Sequence, residues 1–205
     1  TEGRRVILVE LNGAGLAGPW ILGLSPVQTL LGLSTAPALP LTIAALQTAI
    51  LAHRSGLHYL AGKGAEWTLT EYPQGFLAEM VRLLQEVYDV VIVDLGISAL
   101  YSALEVLRHS SLILPVTELD SLALEHLLPL RRWLEQHTLH APGFVLVDRA
   151  WGATKESPTA IAGRLGWGIV AVIPPAPEAL YHAHARQEPL CLANPENETS
   201  LALAS

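Results

Sequence analysis

Short runs of Val, Ile and Leu, with almost no alternation of polar residues, recur along the whole chain. They lie at residues 4–11, 56–62, 88–96, 111–117, 143–150 and 168–174. Runs of this kind are typical of strands that are buried on both faces of a sheet. Stretches with helical spacing separate them, at residues 42–54, 73–87, 102–110, 120–137 and 157–165. The alternation predicts an α/β fold with a mostly parallel sheet and helices on both faces.

Three of the helical stretches carry more specific signals. Thr42 is a candidate N-cap for the first of them. The stretch 73–87 places its apolar residues on one stripe, which predicts a helix packed against the core. Pro129 lies inside 120–137 and should kink that helix or divide it into two.

Length and composition bound the class of protein. A chain of 205 residues is expected to form a single domain, 1–205, with a flexible tail over 194–205. Apolar residues make up 51% and charged residues 15%, which excludes a disordered chain. The one cysteine, Cys191, excludes an internal disulfide and a zinc site built from cysteines.

Charge and hydropathy limit the kinds of partner that the chain is expected to bind. The formal net charge of −7 argues against a nucleic-acid-binding surface. Prolines interrupt the long apolar region between Leu16 and Ala52, so no stretch reaches the ~20 apolar residues of a membrane helix. We therefore expect a cytoplasmic protein with no membrane span of its own.

One glycine motif invites a dinucleotide interpretation. Gly13, Gly15 and Gly18 form G-x-G-x-x-G directly after a predicted strand, as in dinucleotide-dependent oxidoreductases. That fingerprint expects an acidic residue ~20 positions later to bind the ribose, and here none occurs between Gly18 and Glu66. The alternative is a plain glycine-rich loop.

Polar residues end several of the predicted strands. Asp94 follows the run VVIV, Glu10 and Asn12 end the first strand, and Asp148 and Pro174 end the last two. In open α/β sheets, ligands bind at the carboxyl edge, where these residues should lie. A carboxylate such as Asp94 can hold a magnesium-bound water beside a phosphate, or it can simply cap the next turn.

In order along the chain, these segments resemble the ParA/MinD superfamily of P-loop ATPases, especially its CpaE/TadZ branch. The run YDVVIVDLG resembles the Walker B strand, and GFVLVDRA stands where the family has its base-reading strand. The other similar segments are RRVILVELNGAGLAGPWILGLSP, SGLHYLAG and GRLGWGIVAVIPPAPEALYHAHARQEPL. The resemblance implies a P-loop NTPase fold, ATP with magnesium as cofactor, and a homodimer.

The departures from the family are as specific as the matches. The only lysines, Lys63 and Lys155, do not lie in a Walker A sequence G-K-[ST]. Asn12 stands where the family has its second acidic residue, and an amide cannot act as a base. Asp148 replaces the asparagine that reads the base. Either the missing loop and its strand lie upstream in a longer protein, or the chain is a degenerate member.

The resemblance implies a scaffold for localising or assembling pilus or secretion machinery, with weak or no ATP hydrolysis and recruitment to a membrane-bound machine. The magnesium ion and the phosphates of any bound nucleotide would lie beside Asp94, Glu10, Asn12 and Gly96. Asp148 and Pro174 would flank its base. Two alternatives remain: an active ATPase switch for partition or septum placement, and an oxidoreductase that uses Gly13, Gly15 and Gly18.

Overall fold

The computed structural model describes residues 3–11, 17–35, 40–63, 72–96, 101–148 and 157–204. Its backbone contacts divide the chain into two compact units, residues 1–109 and 110–205. Each unit has its own sheet. The architecture is mixed α/β with mostly parallel strands, which confirms the predicted fold class. That the chain acts as one domain remains a prediction.

The sheet of the first unit has four strands in the order β2-β3-β1-β4. The strands are β1 (Val6–Glu10), β2 (Ile50–Ala52), β3 (Leu57–Ala61) and β4 (Val90–Asp94). β1 pairs in parallel with both β3 and β4, and β2 pairs antiparallel with β3. This arrangement puts β1 in the interior of the sheet and β4 at its end.

The helices of the first unit cover much of the apolar surface of this sheet, although Ile92 of β4 is 49% exposed. They are α1 (Gly18–Leu22), α2 (Leu30–Ser34), α3 (Ile43–Gln47), α4 (Phe76–Val87) and α5 (Tyr101–Arg108). The predicted stripe of α4 is confirmed, because Leu77, Met80 and Leu84 are buried with Ile7 and Val9 of β1. The predicted N-cap is also confirmed, since the Thr42 hydroxyl accepts a hydrogen bond from the Ala45 N–H.

The second unit is built around three parallel strands in the order β5-β6-β7. The strands are β5 (Val116–Glu118), β6 (Phe144–Val147) and β7 (Ile169–Ile173), and the helices are α6 (Ser121–Glu125), α7 (Leu127–Gln136), α8 (Pro158–Leu165), α9 (Pro177–Ala185), α10 (Leu190–Ala193) and α11 (Glu198–Ala204). Its core holds Phe144, Leu146, Ile161 and Trp167, and the Trp167 indole N–H donates to the Ala141 carbonyl.

One face of this second sheet is apolar and open. Val116 of β5 is 66% exposed, and Val170 and Val172 of β7 are 49% and 40% exposed. Val116 pairs with Val145, the residue after Phe144, so it lies on the face opposite the Phe144 side chain. Val170 follows Ile169, the partner of Phe144, and lies on that face as well. Parallel sheets ordinarily have both faces covered, and this one has aliphatic side chains in solvent.

One helix prediction needs correction, and another is confirmed. The helix expected over 42–54 ends at Gln47, and β2 follows it, because residues 53–56 form a turn that pairs β2 with β3. Gly56 takes a φ of 83° there. The stretch 120–137 divides into α6 and α7 at His126, as predicted, and Pro129 lies in the first turn of α7, where its missing N–H is tolerated.

The segment 194–205, for which the sequence predicts a flexible tail, contains a helix. Glu198–Ala204 forms α11, and Thr199 and Ser200 are buried. The Thr199 hydroxyl donates to the Pro174 carbonyl at 2.8 Å, and the Ser200 hydroxyl donates to the Asn194 carbonyl at 2.7 Å. The Thr199 bond attaches α11 to the end of β7, and the Ser200 bond holds α11 against the end of α10. Among the described residues, no helix is long and apolar enough to cross a membrane.

Candidate functional site

The carboxyl ends of β1, β3 and β4 meet at one edge of the first sheet. The register pairs Glu10 with Ala61 on one side and with Asp94 on the other. Just beyond the strands, the Leu11 N–H donates to the Asp94 carbonyl at 2.8 Å. The prediction that Glu10 and Asp94 lie at the same edge is therefore confirmed.

Glu10 is buried, with only 4% of its surface exposed. One carboxylate oxygen accepts a hydrogen bond from the Ala17 N–H at 3.0 Å. The other accepts from the Gly18 N–H at 3.0 Å and from the Tyr59 hydroxyl at 2.5 Å. A buried carboxylate is costly unless hydrogen bonds replace its hydration, and here the protein itself supplies them.

Tyr59 is the aromatic partner of this carboxylate. It lies on β3, next to β1, and is fully buried. Burial raises the pKa of Tyr59 far above its ordinary value, and the hydrogen bond to Glu10 and the negative charges of Glu10 and Asp94 raise it further. Tyr59 is therefore a hydrogen-bond donor throughout the physiological pH range.

This shift predicts a loss of stability in alkali. Above pH ~10 the unfolded chain ionises its tyrosines, whereas the folded chain keeps the Tyr59 proton, so the free energy of unfolding falls as pH rises. We expect Tyr59→Phe to remove up to about 1.4 kcal/mol per pH unit from that slope. Urea unfolding at several pH values between 9 and about 11.5 measures it.

The control for this experiment is Tyr181→Phe, because Tyr181 is 72% exposed. That variant should leave the slope unchanged. Tyr72 and Tyr88, whose pKa values burial also raises, supply the slope that remains in Tyr59→Phe. An unchanged slope in Tyr59→Phe would contradict the burial of the hydroxyl against Glu10.

Gly18 is explained by packing at this point. A Cβ atom there would lie 2.6 Å from the Tyr59 ring and 2.7 Å from the Glu10 carboxylate. The third glycine of the G-x-G-x-x-G motif is thus required by contacts within the protein, and the helix that follows it has only five residues. Gly13 and Gly15 lie outside the described residues, as does Asn12.

Asp94 is exposed at the end of β4. One of its carboxylate oxygens accepts the Gly96 N–H at 2.9 Å, and Gly96 has a φ of 59°. Asp94 thus caps the turn after the strand, as the simpler interpretation predicts, while its side chain still reaches solvent. Oxygen donors of this kind suit magnesium and its bound waters.

In the second unit, Asp148 and Pro174 follow β6 and β7. The Asp148 N–H donates to the Ile173 carbonyl at 2.9 Å, and the Pro174 carbonyl accepts the Thr199 hydroxyl. Both residues therefore lie at the carboxyl edge of the second sheet, as the strand pattern predicts.

Sequence reasoning did not find Tyr59 or Lys63. Lys63 lies two residues beyond β3, at the same edge as Glu10, and is 8% exposed. Alternation along GLHYLAG puts Tyr59 and Ala61 on one face, but only the register with β1 aims the hydroxyl at Glu10. In the described part of the chain, no group of three or more His, Cys, Asp or Glu residues is arranged to hold a metal ion directly.

Comparisons with known proteins give a fold and no close relative. No family model matches the sequence, and no curated protein matches it. A ParA family ATPase from Chlorobium tepidum TLS is similar in structure, with a TM-score of 0.83 and 17% identity over 98% of this chain and 84% of its own.

Two further solved structures contain nucleotide. The septum site-determining protein MinD from Pyrococcus horikoshii OT3, complexed with Mg-ADP, has a TM-score of 0.78 and 20% identity over 98% of this chain and 80% of its own. An ATP complex of a McdA variant from Cyanothece has a TM-score of 0.71 and 17% identity over 99% and 86%.

These neighbours agree with the resemblance seen in the sequence, and they do not favour the dinucleotide-dependent oxidoreductase. Sequence identities this low show that the fold is shared, but they do not show that the activity is shared. The chain therefore has the fold of the ParA- and MinD-type P-loop ATPases.

Proposed function

We propose that this chain is a degenerate ParA/MinD-like protein that acts as a scaffold and hydrolyses ATP weakly or not at all. The observation that carries the proposal is the state of Glu10. Its carboxylate is buried and accepts three hydrogen bonds from the protein, so it is not available to a magnesium ion or a phosphate. Asn12 supplies an amide where hydrolysis would need a base.

In this proposal the chain binds a nucleotide weakly and does not depend on its hydrolysis. Asp94, exposed at the carboxyl edge, would hold a magnesium-bound water, and Asn12 and Gly96 would lie on the phosphate side. Asp148 and Pro174 would flank the base. Magnesium, when bound, would neutralise phosphate charge, and the Mg-ADP and ATP complexes of the neighbours support it as the companion ion.

The proposed partners are a second copy of the chain and the proteins of pilus or secretion machinery. The CpaE/TadZ-like segments of the sequence support pilus or secretion machinery as the partner. The open face with Val116 and Val170 supports a role in protein contacts, because exposed aliphatic patches mark interaction surfaces. Recruitment to a membrane-bound machine would then occur through partner proteins.

A titration with a fluorescent ATP analogue, with and without magnesium, tests the role of Asp94. We expect weak, magnesium-dependent binding that Asp94→Ala reduces at least tenfold, and no hydrolysis above that of buffer. Glu86→Ala removes the same charge from an exposed position in the last turn of α4, and it should bind like the wild type. ATP hydrolysis that requires Asp94 would contradict the proposed scaffold function and would show that the chain is an active ATPase switch.

A second candidate is an active ATPase switch, for partition or septum placement, whose Walker A strand and loop lie upstream of Thr1. It is favoured by the position of β4, which pairs only with β1 among the described strands. An apolar strand at a sheet end offers backbone groups to a further strand. Reading the gene upstream decides between the two: a strand followed by G-K-[ST] favours the switch.

A further inference from the structure

The first unit contains a long stretch of sequence without charge. Residues 11–53 include no Asp, Glu, Lys or Arg, although charged residues make up 15% of the whole chain. The next longest stretch of this kind, residues 165–177, is much shorter. The described part of the long stretch forms α1, α2, α3 and β2. Three helices of one unit therefore carry no charged side chain.

Burial does not explain the missing charges. Trp20 of α1 is 60% exposed, and Val27, between α1 and α2, is 97% exposed. Other exposed positions of this segment hold small or uncharged polar residues, among them Gly23, Ser25, Ala44, Gln47 and Thr48. In the same unit α4 shows the ordinary pattern, since its exposed Arg82 forms ion pairs with Glu79 and Glu86. The segment thus presents to solvent a surface without the charges that exposed helices usually carry.

We propose that this uncharged surface, formed by the exposed side chains of residues 17–35 and 40–48, is where a second copy of the chain docks. The centres of protein interfaces are depleted in charged residues, and tryptophan is enriched among the residues that dominate the binding energy. Trp20 is the anchor of this interface. The inference rests on the proposed function in taking a second copy as a partner, and it names the surface that the partner covers.

Net charge selects a second copy as the occupant. Each chain carries a formal charge of −7, so two copies repel each other wherever their acidic side chains meet. Salt screens charges that lie more than about 8–10 Å apart, so the charges near the contact decide the repulsion. The uncharged surface brings none of its own into the contact. Because a two-fold axis joins the same surface of both copies, a surface without charge is compatible with itself.

Sedimentation equilibrium of the full chain without nucleotide, from low to several hundred micromolar, tests the proposal. We expect a dimer whose Kd rises at least tenfold in Trp20→Glu and in Val27→Glu, because each variant puts like charges into the contact. Val27 is almost fully exposed, so its replacement leaves the fold intact, which circular dichroism checks. Tyr181→Glu and Val116→Glu place the same charge at exposed apolar positions outside the surface, and both should dimerise like the wild type.

Salt gives a second readout. The dimer should persist or tighten as NaCl rises from about 0.05 to 0.5 M, because salt screens the remaining repulsion between the copies. Dissociation in high salt would mean that ion pairs hold the contact, and it would overturn the proposal. A wild type that is monomeric at every concentration would do the same, as would a dimer that only Val116→Glu disrupts.

A lipid surface is the other occupant that the experiment can reveal. A monomeric chain that sediments with phosphatidylcholine vesicles, and no longer does so in Trp20→Glu, would assign the surface to lipid and overturn the proposal. The proposed function fails separately from this inference. ATP hydrolysis by the chain would contradict the scaffold and leave the dimer surface as it is, whereas a monomer without hydrolysis would contradict only the dimer surface.

Discussion

Replacing Gly62 with alanine is expected to destabilise the protein by about 3 kcal/mol, the upper end of what overpacking usually costs. Gly62 follows β3 at the carboxyl edge. A Cβ atom there would lie well inside 3.0 Å of the Glu10 carbonyl oxygen, which belongs to the interior strand β1. Backbone cannot move aside as a flexible side chain can, so the strands would have to separate.

Separation at this point breaks several hydrogen bonds together. The Gly62 N–H donates to the Glu10 carbonyl at 2.8 Å. The Gly62 carbonyl accepts from the Leu31 N–H of α2 at 2.8 Å and from the Tyr72 hydroxyl at 2.8 Å. Since each bond contributes about 1 kcal/mol and leaves a buried group unpaired when broken, the loss is large.

Urea unfolding followed by circular dichroism measures the effect as a shift of the midpoint. Gly32→Ala is the matched control, because Gly32 lies within α2 and a Cβ atom there meets the Gln28 side chain at an ordinary 3.4 Å. That variant should be neutral or more stable by up to about 1 kcal/mol, since alanine favours helix. Equal midpoints for the two variants would contradict the tight pairing of β1 with β3.

Most of the strands were predictable because consecutive Val, Ile and Leu residues leave a plain signal in sequence, even where one face of the sheet is exposed. The run VVIVD needs no alignment to be identified as a strand that ends in a carboxylate. Parallel pairing then puts Glu10 and Asp94 at one edge whatever the register of the remaining strands. This much of the candidate site follows from local sequence and from one rule of α/β folds.

The role of Glu10 was not predictable in the same way. It depends on a contact between Glu10 and Tyr59, residues 49 positions apart, and that contact exists only in one register of β1 with β3. β2 was missed for a related reason, because Ile50–Ala52 is too short to show a period and is a strand only through pairing with β3. α11 likewise depends on a hydrogen bond to Pro174.

Phe144→Ala is expected to cost roughly 3–5 kcal/mol, because it removes a fully buried aromatic side chain from the core of the second unit. Phe144 begins β6, and its ring lies 5.8 Å from that of Trp167. Leu146 and Ile161 are fully buried in the same core, so the cavity has little freedom to collapse. Chemical unfolding, followed by Trp fluorescence, measures the loss.

Val116→Ala is the matched control on the opposite face of the same sheet. Val116 is 66% exposed, so truncating it should cost less than about 1 kcal/mol. The contrast between the two faces also bears on the proposed scaffold. A cost for Val116→Ala that rises with protein concentration would mean that a second copy covers the open face, since stability linked to association depends on concentration. A small, concentration-independent cost would leave that face to a different partner protein.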